Sequence, residues 1–104
     1  MPRQFDVVAN PDAEEADRRP YLLILQSDLV SELSSTVVAP LVAKTDMVGA
    51  RRLNPLVVVD DREFWLATHE LFAIHRRMLG ASVATLSERR YDIIGALDVL
   101  FTGL

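Results

Sequence analysis

Short apolar runs separated by turn signals fill most of the chain, and only the last segment repeats apolar residues with helical spacing. The runs are rich in β-branched and aromatic residues, which favour extended structure. The predicted strands cover residues 4–9, 21–26, 36–42, 56–59 and 64–68, with a further candidate at 71–77. Because no regular helix separates consecutive strands, the order argues against a doubly wound α/β sheet. It predicts a small, mostly antiparallel barrel or sheet capped by one helix.

Turn and loop signals divide these runs. Residues 10–20 begin with Asn-Pro, end with Pro and are rich in acidic residues, which predicts a solvated loop. The pair Asp60 and Asp61 predicts a tight turn, so the two strands that flank it should form a hairpin. Pro40 has no amide to donate, and we expect its strand to be an edge strand or to contain a bulge. Residues 43–54 mix apolar and charged positions, and their pattern favours neither helix nor strand.

The last segment has the pattern of an amphipathic helix. Its apolar residues recur at intervals of one, three and four positions, which places them on one helical face. They are Ile93, Ile94, Leu97, Leu100, Phe101 and Leu104. Thr85 and Glu88 have the spacing of a capping box, which favours a helix start near these residues. We therefore predict one helix over residues 87–103.

Composition excludes several classes of protein. With 104 residues, the chain has the length of one domain with a single core. It contains no cysteine, which excludes disulfides and thiolate zinc sites. Its formal net charge of -4 disfavours binding to a nucleic-acid backbone. The longest apolar run, residues 21–25, is too short for a bilayer and no secretory signal is visible, so we expect a soluble cytoplasmic protein with no membrane partner.

The residues themselves require neither an enzyme nor a cofactor. On one strand, His69 and His75 would lie about 20 Å apart, which is too far for a shared metal ion. Asp60, Asp61 and Glu63 lie at a predicted hairpin turn, where solvated carboxylates make a poor catalytic pair. We interpret the Arg-Arg pairs as solvated surface, although spacing alone leaves a converged basic groove open. These pairs are at residues 18–19, 51–52, 76–77 and 89–90.

The chain ends in an apolar segment, residues 99–104, where terminal residues are usually polar and frayed. Two interpretations compete. Leu100, Phe101 and Leu104 either pack on the sheet of their own domain or form a tip that docks into a groove of a partner. Because amphipathic helices usually face their own core, the spacing alone favours the first interpretation.

Short motifs distributed along the chain share their order and spacing with a known toxin family. They are Gln4-Phe5 with Val7, Gln26-Ser27-Asp28-Leu29-Val30, Val38-Ala39-Pro40-Leu41, Leu53-Asn54-Pro55 with Val57, Trp65 followed by Thr68, and Leu86-Ser87 with Arg89, Asp92-Ile93, Ala96-Leu97 and Phe101. No single motif is long, so the specificity lies in the whole set. Through it the sequence resembles the CcdB family, the poisons of DNA gyrase in type II toxin–antitoxin pairs.

The resemblance implies a mainly β fold, an SH3-like β-barrel with a small additional sheet and a C-terminal helix, assembled as a symmetric homodimer. It implies that the C-terminal tips contact the DNA gyrase A subunit and trap the cleaved gyrase–DNA complex, with no reaction catalysed by the toxin. It also implies neutralisation by a CcdA-like antitoxin, whose disordered tail wraps the dimer. We expect no cofactor, no metal and no direct nucleic-acid binding without the antitoxin.

The family's gyrase-binding positions can be carried over one at a time, as an implication of the resemblance. They match Leu29, Val30, Asp98, Phe101, Thr102, Gly103 and Leu104. Leu29 and Val30 are the two apolar residues after the Gln-Ser-Asp motif. Asp98 takes the place of a polar helix residue that is an amide in the best-known member, and so adds a negative charge.

The closing triplet departs from the family pattern at one position. The family typically ends in Trp-Gly-Ile, and this chain has Thr102, Gly103 and Leu104. A tryptophan there would be an interface anchor, and losing such an anchor commonly costs ~2–4 kcal/mol of binding energy. Because Thr102 replaces this anchor, one alternative is that the chain is a CcdB relative with weakened gyrase activity.

A second alternative is an endoribonuclease toxin of the MazF or Kid type, because these ribonucleases share the same barrel. Cleavage of RNA would need a groove in which arginines converge with acid–base groups. The only candidates in the sequence are Arg51, Arg52, Arg76 and Arg77 with Asp60. The acidic net charge of the chain disfavours this alternative.

Overall fold

Seven β-strands and one α-helix make up the computed structural model, which describes residues 2–103. The strands are β1 (Asp6–Ala9), β2 (Tyr21–Ile24), β3 (Ser35–Ala43), β4 (Leu56–Val59), β5 (Arg62–Leu66), β6 (Phe72–His75) and β7 (Ser82–Thr85), and the helix is α1 (Arg90–Thr102). Single 3₁₀ turns cover Asp28–Val30, Lys44–Asp46, Thr68–Glu70, Arg76–Met78 and Ser87–Arg89. The six predicted strands are confirmed, and β7 was not predicted. No helix within residues 2–103 is long and apolar enough to cross a membrane.

All strand pairs are antiparallel, and the order across the curled sheet is β4-β5-β3-β2-β1-β7. β3 changes partner along one side, because its first half pairs with β6 and its last three residues pair with β5. The mainly β fold with a C-terminal helix is confirmed, and the curled sheet is consistent with an SH3-like barrel. In place of a separate small sheet, β6 belongs to the same sheet through β3.

The prediction that Pro40 confines its strand to an edge or a bulge is wrong, because β3 lies between neighbours on both sides. The Pro40 carbonyl accepts a hydrogen bond from the Ala67 amide at 2.9 Å. In a strand, the N and C=O of one residue point to the same side, so the Pro40 nitrogen faces the point where β3 passes from β6 to β5. A central strand tolerates proline there, because no ladder donor is needed at the change of partner.

The helix begins later than the capping box predicts. Thr85 is still extended, because it is the last residue of β7 and pairs with Asp6 of β1. Its Oγ1 accepts from the Ser87 amide at 3.3 Å rather than from Glu88. A 3₁₀ turn then intervenes, and α1 begins at Arg90 without a side-chain cap. The predicted capping box is therefore wrong, although the predicted helix is confirmed.

The acidic loop between β1 and β2 is fastened to the body of the protein by one arginine. Arg19 Nε donates to Glu70 Oε1 at 2.8 Å, and a second guanidinium nitrogen donates to Glu70 Oε2 at 3.1 Å. Arg19 also donates to Glu15 Oε2 at 3.1 Å within the loop. Hydrogen bonds from Arg19 hold the pKa of Glu70 below its ordinary value, and the same pairing raises the pKa of Arg19.

This pairing predicts a pH-dependent contribution to stability. Because the folded-state pKa of Glu70 is lowered, its contribution is present above the ordinary carboxyl pKa and is lost as the pH falls through the folded value. A Glu70→Gln variant should melt at a lower temperature than the native protein at neutral pH. The difference in Tm should shrink as the pH is lowered through the acidic range. The measurement is a series of thermal melts of both proteins across that range. A Tm difference that stays the same at every pH would contradict the assignment.

Candidate functional site

The first half of α1 is anchored on the sheet. Ile93 and Ala96 are fully buried against the core. The guanidinium carbon of Arg90 lies 5.5 Å from the centroid of the Phe5 ring, a cation–π distance. Arg89, immediately before the helix, donates to a backbone carbonyl of β4 at 2.7 Å. These contacts fix the direction in which the rest of the helix projects.

The second half of the helix leaves the core. Ile94 and Leu97 are partly buried and still pack against the hydrophobic core of the domain. Beyond them, the side chain of Phe101 is 69% exposed, and Thr102 and Gly103 are also exposed. The ring of Phe101 therefore does not pack on the sheet of its own domain. An exposed ring is the arrangement that the docking interpretation requires.

The last helical turn is a defined structure rather than a frayed end. Gly103 adopts a left-handed conformation with φ of 75°, which glycine reaches without strain. Its amide donates to the carbonyls of Asp98 and Val99, each at 3.1 Å. The Thr102 hydroxyl donates to the Asp98 carbonyl at 2.7 Å. The end of α1 is thereby closed by hydrogen bonds, and Phe101 is presented from a rigid base.

The electrostatics of this tip are negative. Backbone carbonyls at the end of a helix carry the negative pole of its dipole. Asp98 is exposed in the same region, and the last turn of α1 contains no basic residue. An apolar ring beside a carboxylate and a helix C-terminus favours a partner surface with an apolar pocket and a cation at its rim.

Leu29 and Val30 are presented by the 3₁₀ turn that follows β2. The Ser27 hydroxyl accepts from the Leu29 amide at 3.1 Å, which caps this turn. Asp28 Oδ1 accepts from the Gln4 amide at 2.9 Å and ties the turn to the segment before β1. The side chain of Leu29 is 90% exposed and that of Val30 is 38% exposed. Ser27 and Asp28 therefore have structural roles in this turn.

The predicted gyrase-binding residues fall into two groups on different elements. One group is the pair in the turn after β2, and the other is the set on the last turn of α1. Each group is held by hydrogen bonds within its own neighbourhood. Leu104, the final predicted residue, lies outside the described residues.

The residue set proposed for RNA cleavage is not brought together. Arg51 and Arg52 line one cleft, whereas Arg76 lines a different cavity. Asp60 is exposed at the turn between β4 and β5 and belongs to neither. Arg77 is exposed on the 3₁₀ turn after β6. An arginine-plus-acid catalytic site built from this set has no support in the geometry.

The two histidines have ordinary hydrogen-bonding roles. His69 Nδ1 lies 3.2 Å from Asn54 Nδ2, and His75 Nδ1 accepts from the Arg77 amide at 3.3 Å. Within residues 2–103, no group of three or more His, Asp or Glu side chains is placed to hold a metal ion.

Sequence reasoning left a converged basic groove open without placing it, and the structure has a basic cleft between residues 49–56 and the start of α1. Arg51, Arg52 and Arg89 line this cleft together with Trp65 and Tyr91. The sequence signal was present, because the Arg-Arg pairs at 51–52 and 89–90 both contribute. Their separation along the chain concealed that the fold brings them to one place.

A sequence model described as CcdB protein matches residues 4–103. The fold is similar to an endoribonuclease in complex with its cognate antitoxin from a mycobacterial species, with a TM-score of 0.73 and 13% identity, over 100% of this chain and 97% of that chain. It is also similar to the Mycobacterium tuberculosis toxin MazF-mt6, with a TM-score of 0.70 and 18% identity, over 95% of this chain and 96% of that chain. At such identities the structural likeness establishes the fold alone.

The family match covers nearly all the described residues, and it includes both the turn after β2 and the last turn of α1. It agrees with the motifs that carry the resemblance in the sequence. We conclude that the chain belongs to the CcdB protein family, whose members are toxins of toxin–antitoxin modules.

Proposed function

We propose that this toxin binds the A subunit of DNA gyrase and traps the cleaved gyrase–DNA complex. The observation that carries the proposal is the exposed Phe101 side chain on the closed last turn of α1. Aromatic side chains that enter a partner's pocket are the residues that most often dominate binding energy. The helix end supplies such a side chain in a fixed position.

The proposed mechanism is stabilisation by binding, without bond making or breaking by the toxin. A ligand shifts an equilibrium only by its difference in affinity for the two states. The toxin must therefore bind the cleaved complex more tightly than the resealed one. Every 1.4 kcal/mol of that difference, as a rough conversion, changes the ratio of cleaved to resealed complexes about tenfold.

The proposed assembly is a homodimer that a CcdA-like antitoxin holds inactive in the cytoplasm. The family membership supports an antitoxin partner, and one structural neighbour is a toxin bound to its cognate antitoxin. In a symmetric dimer the two helix ends would offer two equivalent tips. Two linked contacts raise the effective affinity whenever both can engage one target.

The test of the proposal is a gyrase cleavage assay with purified protein. Gyrase from the same organism, supercoiled plasmid and ATP are incubated with increasing toxin, and linear DNA is measured after detergent and protease treatment. We expect linear DNA to accumulate with toxin concentration while supercoiling is inhibited. Absence of both effects at micromolar toxin would contradict the proposal.

A second arm of the same experiment addresses the ribonuclease alternative. The fold is shared with an endoribonuclease and with a MazF toxin, and this likeness is the reason for testing the alternative. A panel of single-stranded RNAs is incubated with the toxin and separated on a denaturing gel. We expect the RNA to stay intact, and specific cleavage without any effect on gyrase would replace the proposed function.

A further inference from the structure

A groove with an apolar floor lies on the face of the sheet opposite the main hydrophobic core. It has a volume of about 580 Å³ and lies between the β1–β2 loop and the strands β2, β3 and β6. Its floor is formed by Leu22, Pro40, Phe72, Ile74 and Met78. Clefts of roughly 300–1,000 Å³ with apolar walls and a few polar groups are the usual sites for small molecules.

The apolar groove lies where β3 changes partner. β3 pairs with β6 up to Val38, which is opposite Phe72, and with β5 from Leu41 onwards. Pro40 falls in the interval between these two pairings. The sheet is interrupted there, and Phe72 and Met78 are left 41% and 53% exposed. Two large apolar residues therefore meet solvent inside a concave site, and exposed apolar surface of this kind marks an interaction site.

The rim of the groove is held in shape by the β1–β2 loop. The Asn10 amide donates to the Pro20 carbonyl at 3.0 Å, and Asn10 Nδ2 donates to the Arg19 carbonyl at 2.9 Å. These bonds close the base of the loop. The guanidinium of Arg19, bound to Glu70, then fixes the loop to the 3₁₀ turn before β6. The rim is therefore formed without a ligand, as is usual for small-molecule sites.

The charge on the rim is negative. Asp12, Glu15 and Glu70 line the groove with one cation, Arg19, so the lining charges sum to -2. Arg19 pairs with both Glu15 and Glu70, and one guanidinium thus faces two carboxylates. Among residues 2–103, Asp12 has no ion-pair partner, and its Oδ1 accepts from the Glu14 amide at 3.0 Å.

Charges just outside the groove do not reverse this balance. The β1–β2 loop adds Glu14 and Asp17 against Arg18. Arg76 and Arg77 lie on the 3₁₀ turn after β6, but neither lines the groove, and Arg76 lines a different cavity. A negative rim repels phosphates, which disfavours a nucleic acid as the occupant. A cation with an apolar body is complementary to both the rim and the floor.

We propose that the apolar groove binds a small organic cation, an amine with an aromatic or branched apolar body. The body packs against Phe72 and Met78, because methionine and aromatic side chains adapt to varied apolar shapes. The ammonium group lies at the carboxylates of Asp12 and Glu15. A small molecule fits the groove better than a protein partner does, since a stable protein interface buries roughly 800 Å² on each partner.

This inference goes beyond the contact with gyrase and does not depend on it. The groove is formed by the β1–β2 loop, β2, β3 and β6, whereas the tip is the last turn of α1. A negative gyrase assay would therefore leave the groove assignment untouched, and a failed binding experiment at the groove would leave the proposed target untouched.

The test is fluorine NMR of toxin that carries fluorophenylalanine at position 72. The protein is titrated with naphthylmethylamine, a cation, with neutral naphthylmethanol and with anionic naphthoate, which share one ring system. Ligands of this size reach about millimolar affinity, so the titration extends to about 10 mM. We expect the amine to shift the signal and to bind about fivefold tighter than the alcohol and about tenfold tighter than the anion. A label at position 101 should not shift.

Matched variants separate the contributions of rim and floor. Asp12→Asn combined with Glu15→Gln keeps the side-chain hydrogen-bond acceptors and removes two charges. It should weaken amine binding by about fivefold or more and leave alcohol binding within about twofold. Met78→Gln on the floor should weaken both by a similar factor, about threefold. Glu88→Gln, on the exposed 3₁₀ turn before α1, should leave every affinity within about twofold.

All four substituted positions are exposed, so the variants should fold, and circular dichroism checks that they do. The proposal is overturned if the amine does not shift the position 72 signal at about 10 mM. It is also overturned if the double charge variant weakens amine binding no more than Glu88→Gln does.

Other occupants of the groove give distinct results. A basic dodecapeptide of lysine and leucine that shifts the position 72 signal, when the amine does not, would assign the groove to a protein segment. A signal that moves with toxin concentration alone would assign it to a second copy of the chain. Either result would replace the small-molecule proposal.

Discussion

We expect the Thr102→Trp variant to trap gyrase at concentrations about 30 to 1000 times lower than the native protein. The estimate is the ~2–4 kcal/mol that an interface tryptophan commonly contributes, converted to a ratio of affinities. Thr102 is exposed beside Phe101, so a larger ring can be carried there without disturbing the core. The substitution removes the hydrogen bond from the threonine hydroxyl to the Asp98 carbonyl, whose contribution of about 1 kcal/mol is smaller than the expected gain.

The measurement for Thr102→Trp is the toxin concentration that gives half-maximal linear DNA in the cleavage assay. A matched control is Val83→Trp, which adds the same ring at an exposed position of β7. The control should leave that concentration unchanged, because an added aromatic ring away from the tip should not strengthen binding to gyrase. Equal values for native and Thr102→Trp toxin would mean that the tip does not enter a pocket suited to a second aromatic ring.

The second large effect is expected from truncation of the tip. Phe101→Ala should raise the half-maximal concentration by about 30- to 1000-fold, because the ring is the largest apolar group presented at the helix end. Stability should hardly change, since exposed substitutions usually alter the free energy of unfolding by about 0.5 kcal/mol or less. Loss of gyrase trapping with an unchanged Tm therefore distinguishes a binding residue from a core residue.

The control for Phe101→Ala is Val83→Ala, which truncates an exposed apolar side chain far from the helix end in sequence. It should trap gyrase like the native protein. A fall in Tm of several degrees for Phe101→Ala would indicate that the ring supports the fold in solution. Unchanged gyrase trapping by the same variant would remove Phe101 from the interface.

The strand pattern was predictable because most strands bury at least one face. The buried residues of β1, β2 and β4 are all valine, leucine or isoleucine, as the apolar runs predict. β7 was missed because it is short, lies at the edge of the sheet and is largely exposed, so burial imposes no alternation on its residues. Edge strands owe their structure to the neighbour they pair with, and that neighbour, β1, is distant in sequence.

Position-specific predictions failed where tertiary pairing outweighed a local preference. Proline in a central strand is unfavourable as a rule, and Pro40 is tolerated only because β3 changes partner beside it. Thr85 has the spacing of a helix cap, but pairing with β1 keeps it extended. In both cases the deciding contact is non-local, so no window of sequence contains it.

Only part of the candidate site could be predicted, because the contacts that decide the rest are also non-local. Helical spacing identified an apolar face on α1, but it could not decide where along the helix that face leaves the core. The structure places the change between Leu100, which is still partly buried, and the exposed ring of Phe101. The sequence left a converged basic groove open but could not place the basic cleft, because the arginines of the cleft come from segments that only the fold brings together.

The central claim is that the ring of Phe101 is buried by the gyrase A subunit, and fluorine NMR tests it most directly. The toxin is prepared with 4-fluorophenylalanine at position 101 alone, and a control protein carries the label at Phe72, an exposed ring of β6. On addition of the A subunit, the signal from position 101 should shift and lose its exposure to solvent, while the control signal should broaden without shifting. A resonance at position 101 that keeps its free-state shift and solvent exposure at saturating A subunit would contradict the claim.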